Sequence, residues 1–104
     1  MAGALQTTVA YQTKAATIAD SAVAISAAGW AWTAGNLALA ERAVVSAWTN
    51  GVSMTWDSTT PTATLGMPIA AGATVTVEGN ANIQAIQLIR SGAANATVSI
   101  TLEK

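Results

Sequence analysis

Asn50-Gly51-Val52-Ser53-Met54-Thr55-Trp56, followed by Asp57-Ser58-Thr59-Thr60-Pro61-Thr62-Ala63-Thr64-Leu65-Gly66-Met67-Pro68, is the stretch whose reading decides the fold. Asn-Gly tolerates the positive φ angles of a tight hairpin turn. Val52, Met54 and Trp56 then alternate with Ser53 and Thr55, the period of a half-buried strand. The segment that follows cannot be a regular helix. Its two prolines remove amide donors, and the residue before each is pushed towards extended geometry. Alternation returns at Thr74-Val75-Thr76-Val77-Glu78, breaks at Gly79-Asn80, and resumes from Ile83 towards Arg90. Strand, polar connection, strand, turn and strand predict an antiparallel sandwich or barrel.

Working outward, Ala43 to Thr49 predicts a strand with Val44, Ser46 and Trp48 on one side and Ala43, Val45 and Ala47 on the other. Through Asn50-Gly51 it should form a hairpin with Val52 to Trp56, and Trp56 should be buried with Met54 and Val52. The last strand, about Ala96 to Leu102, sets Val98, Ile100 and Leu102 against Thr97, Ser99 and Thr101. Val23 and Ile25 point inward at the end of an earlier strand. Between them and Glu41 lies a long loop with room for one helical turn, because Gly29, Gly35 and Asn36 interrupt any useful helix. Met1 to Thr13 reads as an arm or first edge strand with few large apolar groups. The fold expected is all-β: an antiparallel, jelly-roll-like β-sandwich over residues 14–104 with a short N-terminal arm at 1–13.

Composition limits function. Only 9% of the 104 residues are charged, against about a quarter in an ordinary domain, and the net charge is −1. No basic field is available to hold nucleic acid or an anionic membrane. Residues 21–40 carry no charge, but Ser21, Ser26, Thr33 and Asn36 among many alanines argue against a spanning helix. Without cysteine or histidine the usual zinc and haem sites cannot be built, and no cofactor or metal is expected. Acid–base work would fall to Asp20, Glu41, Asp57, Glu78 and Glu103, none spaced as a dyad. The many hydroxyls lack a base to activate them, so no enzyme is expected. Asp57 reads as the cap of a turn.

A surface so poor in charge suggests coverage by partner subunits. The candidate protein–protein contact residues are Tyr11, Trp30, Trp32, Glu41 and Arg42. Trp30 and Trp32 lie two apart, on one face if extended. They suit a subunit contact, with a sugar-stacking platform as the alternative. Glu41-Arg42 reads as a solvated or interfacial charge pair.

The stretch Thr55 to Gly66 resembles small structural proteins of tailed bacteriophages, which carry a similar T-W-D-G-T-T-P-T-x-x-x-G run. Ser58 stands where they have glycine. The likeness continues through the Val-rich strand, Glu78-Gly79-Asn80-Ala81-Asn82-Ile83 and the closing strands, about residues 40–103 in all. It implies a non-enzymatic virion protein assembled in the bacterial cytoplasm, first a capsid decoration or cement protein stabilising the head. A neck, tail or fibre-base subunit is the nearest variant, and a glycan-binding module contacting the host surface is the alternative. The class also implies a homo-oligomer, with a trimer favoured, and the major capsid protein or other virion proteins as partners.

Overall fold

Eight strands follow one another along the chain in a computed structural model that describes Thr8–Lys104. They are β1 (Ala10–Ile18), β2 (Val23–Ala24), β3 (Arg42–Thr49), β4 (Val52–Thr55), β5 (Met67–Ile69), β6 (Thr74–Glu78), β7 (Gln87–Arg90) and β8 (Ala96–Glu103). Two short helices, α1 (Asn36–Leu39) and α2 (Asn80–Gln84), lie in the connections. One sheet has the order β1-β8-β3-β6 and the other β2-β7-β4-β5, with every pairing antiparallel. Successive strands change sheet at each step except from β4 to β5. That order is the double Greek key of a jelly roll.

Periodicity explains the layers. β8 alternates between buried and half-buried residues along its whole length, sending Val98, Ile100 and Leu102 inward, and β3 does the same with Ala43, Val45 and Ala47. The facing sheet supplies Val52, Met54, Ile69 and Leu88, all almost wholly buried. Trp30 joins the same core from the loop before α1, at 1% exposure. Sandwich cores are about 10 Å thick, so large side chains must face small ones.

Four expectations are corrected. Asn50-Gly51 does not close a hairpin: β3 pairs with β6 and β8, whereas β4 pairs with β5 and β7 in the opposite sheet. Asn50 does take a positive φ of 60°, but the turn is a corner between sheets. Asn50 Nδ2 donates to the Asn95 carbonyl, and the Ser91 amide donates to the Gly51 carbonyl. A side chain at Gly51 would come within 2.9 Å of Ser91 Oγ and 3.1 Å of the Ile69 carbonyl. Alternation on both sides of a turn is the same for a hairpin and a corner.

Trp56 is not buried; it lies one residue past β4 and is 36% exposed. The strand expected at Ile83 begins only at Gln87, because Asn80–Gln84 coils into α2 and buries Ile83 from a helical turn. Asn80 Nδ2 bonds to the Leu37 and Ala40 carbonyls at the end of α1, which rewards that turn. Finally, the sandwich begins before residue 14: β1 starts at Ala10, so Ala10–Thr13 take the edge-strand reading of this segment rather than the arm, paired with β8. Met1 to Thr7 of that arm lie outside the described residues.

β5 was hidden in the proline-containing connection. Pro68 sits in it opposite Ser53, and β5 is the sheet's edge, where a missing amide donor is tolerated. Residues 57–66 fold back over the outer side of β4, so Ser53 and Thr55 are buried as well. Their hydroxyls donate to the Ala63 and Thr59 carbonyls.

Two tryptophan substitutions check this placement in thermal or denaturant unfolding. Trp30→Ala should cost about 3–5 kcal/mol, the range for a fully buried aromatic. Trp56→Ala should cost about half of that or less, because its ring keeps a third of its surface in water.

Candidate interaction surfaces

The residues expected to form one contact surface are dispersed by the fold. Trp30 serves the interior, which corrects its assignment to an intersubunit contact. Its indole stacks on Trp32, with centroids 5.9 Å apart and planes at 12°, and its Nε1 donates to the Ala24 carbonyl at 3.2 Å. Trp32 Nε1 donates to the Ile25 carbonyl at 2.9 Å, so the two rings are tied to the last residue of β2 and the one after it. The pair is stacked through a turn rather than along a strand, since Ala31 between them has φ 55° in the left-handed region. Trp32 stays half-buried and borders an open cleft of about 400 Å³ with Leu37 and Gln84.

Tyr11 holds this loop from β1: its hydroxyl donates to the Asn36 carbonyl, while Lys104 Nζ lies 4.7 Å from its ring centroid. Partial burial pushes its phenol pKa up. Gln12 adds bonds to Thr33 and Asn36. Glu41 and Arg42 do not pair with each other. Neighbours along extended chain point to opposite sides, and Arg42 Nε lies 3.5 Å from Glu103 Oε1 while Glu41 is exposed. Thr8 Oγ1 donates to the same Glu103 oxygen at 2.6 Å.

Two surfaces carry what the dispersed residues do not. The first is the outer face of the β1-β8-β3-β6 sheet. Cross-strand rows there read Ala15–Ser99–Ser46–Thr74 and Thr13–Thr101–Val44–Thr76, with charges only at the end where Arg42, Glu78 and Glu103 align. Hydroxyls pair across the strands, Thr13 with Thr101 at 2.8 Å and Ser46 with Thr74 at 2.9 Å. Trp48 stands on this face at 67% exposure, where the register with β8 shifts between Ala47 and Thr49. A bulge of this kind re-aims a side chain. Its indole Nε1 donates to Ser99 Oγ at 2.8 Å, which fixes the ring on the sheet. The parity of Trp48 with Val44 and Ser46 was legible in the sequence; its exposure was not.

The second surface surrounds Trp56. One cleft, about 370 Å³, is lined by Met54, Trp56, Asp57, Leu65 and Met67, and a second, about 210 Å³, by Trp56, Met54, Met67, Val77 and Glu78. Asp57 Oδ1 accepts the Thr59 amide at 3.1 Å. That amide, with the Thr59 hydroxyl, holds the carboxyl below its ordinary pKa. Ser58 takes φ 73°, a region glycine enters freely. Gly66 must also be small, because a Cβ there would lie 3.0 Å from the Met54 carbonyl oxygen.

Among the described residues no three acidic side chains converge as a metal site, and no helix is long and apolar enough to cross a membrane. Comparison with family models, curated proteins and solved structures returns no match.

The Asp57 turn has a pH signature. A depressed pKa contributes stability above the unfolded-state value, about 3.9, and loses it as pH falls through the folded value. Carbon-detected NMR should find this carboxyl titrating below the ordinary aspartate range. Asp57→Asn should flatten the acid side of the stability profile by removing that contribution, matching wild type at low pH and falling below it at neutral pH.

Proposed function

We propose that this protein is a non-enzymatic structural subunit of a tailed-bacteriophage particle, a capsid decoration or cement protein that stabilises the head through subunit contacts. The observation that carries the reading is the outer face of the β1-β8-β3-β6 sheet, an uncharged array of Thr, Ser, Ala and Val around the exposed Trp48. By ordinary strand spacing and rise, four strands of this length cover roughly 500 Å² in projection. That approaches the ~800 Å² per partner of a standard interface. Side chains here are short, so little rotamer entropy is lost on docking. The hydroxyls already pair with one another, so few lose a water partner uncompensated.

The resemblance over residues 40–103 supplies the setting, and the jelly roll is an architecture much used by viral capsid proteins. A homotrimer seated on the major capsid protein is the assembly proposed, with Trp48 replacing Trp30 as the aromatic anchor. Tryptophan is enriched among residues that dominate interface energy, and its indole is preset by Ser99.

Native mass spectrometry of the free protein, beside electron microscopy of the parent particle, tests the reading. A trimer and matching density on the head are expected. Trp48→Glu should keep the melting temperature within a few degrees, since the side chain is exposed, yet weaken particle binding about tenfold or more. A monomer missing from purified particles, or undiminished binding of the variant, would overturn it.

A further inference from the structure

The surface around Trp56 is a separate feature from the Thr/Ser face, and its charge is one-sided. Its ring divides two clefts that share Met54 and Met67, and each has a carboxylate in its lining, Asp57 in one and Glu78 in the other. Neither lining includes a lysine or arginine. Arg42 is the cross-strand neighbour of Glu78, but its ion pair is with Glu103.

We propose that Trp56 is the seat for an arginine side chain of a partner protein, with the guanidinium stacked on the indole and directed to Asp57. The methylene stem would lie along exposed Leu65 and half-buried Met67, whose thioether adapts to irregular apolar shapes. Guanidinium is planar and weakly hydrated, stacks on an aromatic face and forks onto a carboxylate, so it fits this combination better than an ammonium. Glu78 adds negative potential from the other side of the ring. The site is preset rather than formed on docking. Thr59 orients Asp57, and the bonds from Ser53 and Thr55 hold the covering loop to β4.

The arginine comes from a different protein, not from a second copy. Of this chain's two arginines, Arg42 is engaged by Glu103, and Arg90 Nη1 donates to Asn95 Oδ1 at 2.8 Å.

The test is a ¹H–¹⁵N NMR titration of the intact protein with the peptide acetyl-Leu-Arg-Leu-amide and its citrulline and norleucine analogues. The Trp56 indole resonance should shift saturably with the arginine peptide at about millimolar affinity, the scale of a single anchoring side chain. Binding of either analogue should be at least about threefold weaker, the factor expected of an exposed cation–π contact. Asp57→Asn keeps an acceptor for the Thr59 amide and so should keep the wild-type spectrum elsewhere, yet lose the preference for arginine over citrulline. Trp56→Leu should lose arginine binding itself. Equal binding of arginine and citrulline peptides overturns the proposal, as does a Trp56 resonance unmoved by about 10 mM arginine peptide. A Trp56 shift driven by protein concentration alone would assign the seat to a second copy and overturn it too.

Discussion

The insertion of the last two strands between earlier ones is the constraint on which the fold depends. β8 fills the gap between β1 and β3, and β7 fills the gap between β2 and β4. Until both are in place, β1 has no neighbour in its sheet and β2 none in the other. β8 can take this position because its alternation is unbroken: each inward aliphatic faces the core while each outward hydroxyl meets a row on both sides. A one-residue slip would turn Val98, Ile100 and Leu102 to water and bring Thr97, Ser99 and Thr101 into the core. Register is therefore fixed by burial rather than by a turn. Pairing residues so distant in sequence carries a loop-closure cost before any contact repays it, a feature of slow-folding β topologies.

Much of this was legible in the sequence, and the failures have common causes. Strands β3, β6 and β8 were plain because each alternates cleanly against solvent on its outer side. The sandwich class followed from their number and spacing. What could not be read was partner choice: Asn50-Gly51 has the chemistry of a hairpin turn, but the chain leaves it towards the opposite sheet. Trp56 continued a strand pattern past the strand's end, and Ile83 satisfied a two-residue period and a helical turn equally well. Trp30 and Trp32 were recognised as a pair, but a left-handed Ala31 stacks them together and sends Trp30 into the core rather than to a surface. Of the contact residues singled out in advance, none belongs to the uncharged part of the Thr/Ser face. The signal that could have found it was parity: Trp48 shares a side with Val44 and Ser46, opposite the strand's buried alanines.

The two sheets divide their labour. One presents a bare outer face of short side chains, and the other has β4 covered by its own 57–66 loop. The loop closes over Ser53 and Thr55, which explains why a strand with alternating chemistry is buried on both sides. It also explains the demands on its backbone, positive φ at Ser58 and Gly66 and a close approach of Gly66 to β4. The 57–66 loop is thus the segment with the strictest local geometry.

Exposed strand edges acquire weight in a chain with so few charges. Most soluble proteins discourage edge-to-edge fibre growth with lysines and carboxylates, which are scarce here at 9% of the sequence. In the sheet bearing β2 and β5 the deterrent is geometric. One edge strand is two residues long, and the other is three residues with Pro68 at its centre, so neither offers a run of amides on which another strand could register. The opposite sheet is bordered by β1 and β6, nine and five residues long, where a bulge at the start of β1, Lys14 and Glu78 are the interruptions. Templated polymerisation, if it ever occurs, therefore has only one sheet from which to grow, and crowding on that side is resisted by topology far less than on the other.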